Sequence, residues 1–144
     1  MLHARTDIHT PFHIDMQWWS RQGRNFDRFL AEILGDPKID RATGAEPLDY
    51  VDPGTAEVHQ LNPLWVRVLL DQAHTPDYIT PTTPLTNAVL RLLIENLNRP
   101  MSAVDMQRRI NRGTPQTLLR VLQAARHQYG IAVAHDVPDD SPSA

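Results

Sequence analysis

Prolines divide this chain into short segments. Twelve of its 144 residues are proline, and most of them lie in three stretches, at 47–63, 76–84 and 138–142. Proline has no backbone N–H to donate, and its ring clashes with the preceding helical turn, so it is excluded from helix interiors. The chain is therefore expected to consist of short elements that are joined at these stretches.

The composition indicates a folded chain. Hydrophobic residues make up 41% and charged residues 22%, which supports a core in one compact domain or two small lobes. The chain has no cysteine, so disulfides, thiolate zinc sites and cysteine nucleophiles are excluded, and a cytoplasmic localisation fits. Residues 1–7 lack the apolar core of a secretory signal. No apolar run approaches the roughly 18 residues of a membrane span, so we expect no membrane partner.

The N-terminal part of the chain is expected to form an arm followed by a helix. Residues 1–14 are polar and irregular, which predicts an extended arm. Residues 15–34 have apolar positions at helical spacing, with a break at Gly23 and an end at Gly35-Asp36-Pro37. Trp18 and Trp19 are adjacent and cannot face the same way on a helix. We therefore expect one of them in the core and the other at a surface.

A β-hairpin and a second helix are expected to complete this lobe. An Asp-Pro-Gly sequence at 52–54 predicts a tight turn within a hairpin near residues 50–61. Pro63 suits the first turn of a helix that is predicted to reach residue 74. The predicted helical N-terminal lobe therefore covers residues 15–74.

The C-terminal part is expected to form a second lobe at 85–135, after a proline-rich linker at 75–84. Residues 85–98 carry apolar side chains at i, i+3, i+4, i+7, i+8 and i+12, which predicts an amphipathic helix. A short helix capped by Ser102 is predicted next, followed by a turn at Gly113 and a longer helix capped by Thr114. Residues 131–134 predict a strand, and residues 136–144 an acidic, disordered tail.

This order of elements resembles a winged helix-turn-helix domain, and the segment Arg99-Pro100-Met101-Ser102 is similar to the Pro-x-Ser/Thr entry of such domains. The resemblance covers about a third of the chain and implies that the helix after Thr114 is a recognition helix. A full wing needs a second strand with a basic tip, whereas residues 136–140 are acidic. The predicted fold class is therefore mainly α with one short β-hairpin: a helical N-terminal lobe and a C-terminal helix-turn-helix or degenerate winged helix.

Charge is polarised along the chain, whose net charge is -3. Residues 99–126 hold six arginines and one acid, a net +5, whereas residues 27–57 hold eight acids and three bases, a net −5. The basic stretch includes side-chain types that contact phosphates or base edges. We expect phosphate contacts from Arg108, Arg109 and Arg112, and major-groove contacts from Gln116, Thr117, Arg120 and Gln123.

Two functions of different classes fit these features. The first is a small non-catalytic protein or regulatory accessory subunit that binds double-stranded DNA through the helix-turn-helix, with a homodimer expected for a repressor-like protein. The alternative is a protein-interaction adaptor or assembly subunit without nucleic-acid binding. Its contacts would come from the acidic N-terminal lobe and from Trp18 or Trp19 as an anchor. In a third interpretation, the arginine-rich face is simply solvated.

No sequence motif indicates catalysis or a cofactor. The chain has no nucleophile elbow, no phosphate-binding loop and no dinucleotide fingerprint. His9 and His13 are four residues apart, but Pro11 lies between them, so they are expected to be surface residues rather than metal ligands. Asp52 is better explained as the cap of its turn than as a metal ligand. We therefore expect no enzyme activity, no cofactor and no metal.

Overall fold

The computed structural model describes residues 6–34 and 46–134. The mainly α fold and the hairpin near residues 50–61 are confirmed. The start of the predicted arm, the helix end predicted at 35–37 and the predicted tail at 136–144 lie outside the described residues. The elements of the described residues, in chain order, are β1 (Phe12–Ile14), α1 (Met16–Arg21), α2 (Phe26–Leu34), β2 (Leu48–Val51), β3 (Val58–Leu61), α3 (Pro63–Asp71), α4 (Leu85–Glu95), α5 (Ala103–Ile110), α6 (Pro115–Tyr129) and β4 (Ile131–Val133).

The chain divides into two compact units. The central unit is Trp19–Tyr78, and the terminal unit combines Met1–Trp18 with Ile79–Ala144. The sequence predicted an N-terminal arm and a linker at 75–84. The structure instead joins the described part of the arm, and the second half of that linker, to the C-terminal helices. The physical reason is hydrogen bonding. The arm pairs with backbone groups of β4 and of Met101, whereas the carbonyls of Thr80, Pro81 and Thr83 in the linker accept from the side chain of Arg112.

Helices α5 and α6 begin at the predicted caps, whereas α4 ends at Glu95, three residues before the end predicted at residue 98. Ser102 accepts from the amide of Asp105, whose carboxylate accepts from the amide of Ser102, and this reciprocal capping box starts α5. Thr114 caps α6 by accepting from the amide of Thr117, and Gly130 ends α6 in the left-handed conformation. The predicted caps are therefore confirmed. The apolar faces of the three helices form the core with residues of both strands: Phe12, Ile14, Val89, Leu92, Leu93, Met106, Leu118, Leu122 and Ile131 are all buried.

The N-terminal arm forms a strand in the terminal unit. β1 pairs antiparallel with β4, with Phe12 opposite Val133 and Ile14 opposite Ile131. On its other side, Phe12 exchanges two 2.9 Å backbone hydrogen bonds with Met101. The strand predicted at 131–134 is confirmed, but its partner comes from the opposite end of the chain. The described residues end at 134, so they test neither the tail nor a wing beyond β4.

Asparagine side chains organise the helices of the central unit. Asn25 accepts from the amide of Arg28 and caps α2, after Gly23 has ended the preceding turn with a φ of 65°. Asn62 accepts from the amide of Trp65 at 2.7 Å and caps α3. The amide group of Asn62 also donates to Asp27 at 2.7 Å, which joins α3 to α2. The break predicted at Gly23 is confirmed.

The β2–β3 hairpin lies beside α3 in the central unit. Its register pairs Tyr50 with His59 and Val51 with Val58. One face, which includes Tyr50 and His59, is half-buried at these two residues, whereas Val51 and Val58 on the other face are exposed. The turn is held by Asp52, whose carboxylate accepts from the amide of Gly54 at 2.9 Å. The predicted capping role of Asp52 is therefore confirmed.

Within the described residues, the helices are too short and too polar to cross a lipid bilayer.

Candidate nucleic-acid interface

The turn between α5 and α6 is built from residues that tolerate the left-handed backbone conformation. Asn111 has a φ of 57° and Gly113 a φ of 71°. Asparagine and glycine accept such angles at the lowest cost among the amino acids. The side-chain amide of Gln107 donates to the carbonyl of Gly113 at 3.3 Å, which closes the turn. These contacts and the Thr114 cap fix where α6 starts relative to α5.

Helix α6 presents a polar stripe to solvent. Leu118, Leu122 and Ala125 are buried. The exposed stripe on the opposite side of the helix follows the spacing i, i+4, i+7 and i+11 and comprises Gln116, Arg120, Gln123 and His127. No residue of the 15-residue helix is acidic. At about 22 Å in length, α6 is long enough to cross the major groove, which is about 12 Å wide and admits an α-helix.

Three arginines of α5 and α6 are exposed and have no internal partner among the described residues. Arg108 lies on α5, and Arg120 and Arg126 lie on α6. None of the three forms a hydrogen bond or an ion pair with another described residue. A guanidinium that is fully charged and has no internal partner can bind a phosphate bidentately without first breaking a contact.

Arg112 has a different role from the other arginines. Its Nη1 donates to the carbonyls of Thr80 and Pro81, at 3.1 and 2.6 Å, and its Nη2 donates to the carbonyl of Thr83 at 2.5 Å. The sequence predicted a phosphate contact for Arg112. In the structure its guanidinium instead holds the segment that leads into α4, so we assign Arg112 to the scaffold.

The guanidinium of Arg109 already forms an ion pair with Glu95. Its Nη2 lies 3.1 Å from Oε2 of Glu95, a carboxylate whose side chain is only 7% exposed, whereas the Arg109 side chain is 41% exposed. The pair joins α5 to α4. A phosphate that approaches Arg109 would have to share this guanidinium with Glu95, so Arg109 is a weaker candidate than Arg108.

Two of the residues predicted to contact the major groove, Gln123 and Thr117, already make side-chain contacts within the terminal unit. The Gln123 side-chain amide donates to the hydroxyl of Thr6 at 2.8 Å, so the N-terminal arm reaches the exposed stripe of α6. The hydroxyl of Thr117 lies 3.0 Å from that of Thr114, within the helix cap. Among the four predicted groove residues, Gln116 and Arg120 are the two with no side-chain hydrogen bond to another described residue.

Trp18 and Trp19 have different environments, as expected for neighbouring residues of a helix. Trp19 is 2% exposed and packs at 4.7 Å from Phe29 and 5.3 Å from Phe26, between ring centroids, with the Arg24 guanidinium 4.5 Å from its own ring centroid. Trp18 is half-buried. The structure therefore places Trp19 in the core of the central unit, and Trp18 is the member of the pair that retains exposed surface.

Comparison of the chain with protein-family models, with curated proteins and with solved structures yields no match. The chemistry of this face is therefore inferred from its own residues.

Proposed function

We propose that this chain is a small non-catalytic DNA-binding protein, or a regulatory accessory subunit, that contacts duplex DNA through the exposed stripe of α6. The observation that supports this most directly is the combination of exposure and charge on this helix. A long, capped helix presents glutamine and arginine side chains to solvent, contains no acid, and follows the preceding helix through a short turn. That is the arrangement by which a recognition helix enters the major groove.

The contacts divide between base edges and phosphates. Gln116 and Arg120 lie in the first two turns of α6, where residues of a recognition helix meet base edges, and their side chains suit adenine and guanine respectively. Arg108 and Arg126 would contact phosphates and position the helix. In this proposal Arg109 contributes weakly, and Arg112 only supports the fold.

The expected affinity is modest. Each phosphate that is neutralised contributes a slope of about −0.9 to a plot of log K against log salt. Non-specific binding is essentially electrostatic, so in that mode Arg120 contacts a phosphate, as Arg108 and Arg126 do. Three phosphate contacts predict a slope of about −2.7 for each chain and a non-specific Kd in the range of roughly 10⁻⁴ to 10⁻⁶ M. A homodimer that presents two α6 helices would roughly double the slope.

The test is a fluorescence-anisotropy titration of a labelled random-sequence duplex with the full chain, between about 50 and 200 mM salt. Micromolar binding with a slope near −2.7, or near twice that value for a dimer, supports the proposal. The absence of binding at the lowest salt concentration would overturn it. Sedimentation under the same conditions measures whether the chain is a monomer or a dimer, and therefore which of the two slopes is expected.

One observation favours the protein-interaction alternative. Val51 and Val58 are cross-strand partners on the outer face of the β2–β3 hairpin and are 56% and 62% exposed. Adjacent exposed valines within an acidic segment could form part of a protein contact. If DNA binding is absent, a Val51→Ser/Val58→Ser variant tests this alternative. It should lose partner capture, whereas an Arg120→Glu variant should retain it.

A further inference from the structure

A cluster of three potential metal ligands lies at the tip of the β2–β3 hairpin, in the central unit. One ligand atom from each of Asp52, Glu57 and His59 lies within 4.8 Å of the other two. The hairpin itself brings them together. The amide of Asp52 donates to the carbonyl of Glu57 at 2.8 Å, which extends the strand pairing beyond Val51 and Val58. Since side chains alternate along paired strands, Asp52, Glu57 and His59 emerge on the same face.

The imidazole of His59 has an unused ligand atom. Its Nε2 is buried and makes no hydrogen bond to any described residue, although Oε1 of Glu57 is only 3.5 Å away. A charge-assisted hydrogen bond between these atoms would bring them to about 2.7–2.9 Å. A buried polar atom without a partner is costly in a folded protein, and its presence calls for a physical explanation.

The separation of 3.5 Å fits two ligands of one metal ion. In a tetrahedral zinc site, imidazole nitrogen and carboxylate oxygen lie about 2.0–2.2 Å from the ion, so they are about 3.4 Å from each other. The Nε2–Oε1 distance therefore already has the length of a tetrahedron edge. Asp52 is 9% exposed, and its carboxylate is oriented by the amide of Gly54. A carboxylate oxygen of Asp52 lies within 4.8 Å of both other ligand atoms, which makes Asp52 the third member of the set.

We propose that Asp52, Glu57 and His59 form a binding site for one divalent transition-metal ion, with Zn²⁺ as the best match. Imidazole is a ligand for zinc and its neighbours in the first transition row, whereas Ca²⁺ and Mg²⁺ take oxygen ligands. Three protein ligands leave at least one position for water or for a group supplied by a partner. This site is independent of the proposed DNA-binding face, which belongs to the terminal unit.

The test is calorimetric titration of the full chain with Zn²⁺ after treatment with a chelator. One ion per chain is expected to bind, and His59→Gln and Glu57→Gln should each weaken binding at least tenfold. His9→Gln serves as the matched control, because it removes an exposed histidine of the terminal unit and should leave the affinity unchanged. Asp52→Asn is a further variant that keeps an acceptor for the Gly54 amide and should weaken binding while preserving the turn.

Thermal unfolding with and without Zn²⁺ provides a second readout. An ion that binds only the folded state must raise the Tm of the wild type and of His9→Gln, and it must raise the Tm of His59→Gln and Glu57→Gln less. The proposal is overturned if Zn²⁺ binds wild type and both ligand variants with equal affinity, or if about 100 µM Zn²⁺ neither binds nor raises the Tm of the wild type. If either ligand variant fails to fold, the Asp52→Asn and His9→Gln variants are compared by the same two measurements. Asp52→Asn should then bind Zn²⁺ more weakly than His9→Gln and show a smaller rise in Tm.

Discussion

Arg112 donates a 2.6 Å hydrogen bond to the carbonyl of Pro81, 31 residues earlier in the chain. The same guanidinium also binds the carbonyls of Thr80 and Thr83, so one side chain satisfies three backbone acceptors in a segment with no regular structure. The segment leads directly into α4, whose N-cap residue Pro84 provides no side-chain hydrogen bond to the helix. Arg112 therefore fixes the conformation of the segment that precedes α4 by binding its carbonyl groups.

Replacement of Arg112 by glutamine is expected to lower the free energy of unfolding by about 1–3 kcal/mol, because charge-assisted hydrogen bonds to three carbonyls are lost. Arg108→Gln is the matched control. It makes the same change at an exposed position without internal partners and should shift stability by less than about 0.5 kcal/mol. Urea unfolding of both variants makes the comparison. Equal stability of the two variants would show that Arg112 is not part of the scaffold.

Replacement of Arg120 by glutamine is expected to weaken binding to the random-sequence duplex and to reduce the salt slope by about 0.9, because one phosphate contact is lost. Arg67→Gln is the control, since it makes the same charge change on α3 of the central unit, where Arg67 pairs with Asp71. In anisotropy titrations, the Arg120→Gln variant should bind DNA more weakly than the Arg67→Gln variant at every salt concentration. Identical affinities would remove α6 from the interface.

Trp19→Ala is expected to cost about 3–5 kcal/mol, because it empties a buried aromatic cluster. Trp18→Ala should cost clearly less, since that side chain is only half-buried. Chemical unfolding of the two variants measures both costs. A small, equal cost at the two positions would contradict the assignment of Trp19 to the core.

Asn98→Gly is expected to loosen the N-terminal strand without changing the backbone conformation. Asn98 has a φ of 59°, which glycine adopts without strain. Its side chain accepts from the amide of Ile14 at 2.8 Å and donates to the carbonyl of Ile14 at 2.9 Å. Hydrogen exchange should show faster exchange at Ile14, whereas the amide of Leu122 in α6 should be unaffected. Unchanged protection at Ile14 would mean that pairing with β4 alone holds the arm.

The helices were predictable because their signals are local. Ser102 with Asp105, and Thr114 with Pro115, lie within one helical turn of each other, so the sequence specifies both starts. The same holds for the hairpin turn at Asp52 and Gly54. The sequence also predicted that Trp18 and Trp19 would have different environments, because neighbours on a helix point about 100° apart.

The candidate site was less predictable, because the availability of a side chain depends on distant residues. The sequence treats Arg108, Arg109 and Arg112 alike, although one is exposed, one pairs with Glu95 and one binds carbonyls near Pro81. His59 did not attract attention in the sequence either. Its place beside Asp52 and Glu57 follows from the strand register, which is set when the hairpin forms.

The sequence by itself determined the elements of this protein: which segments are helical, where the caps lie, and that positive charge gathers in the C-terminal part. These depend on propensities and spacings within a few residues. Only the tertiary structure decided that the N-terminal arm pairs with β4, that Trp19 rather than Trp18 is buried, and which arginines remain available. Those outcomes depend on contacts between residues far apart in the chain, and such contacts form only when the core brings the elements together.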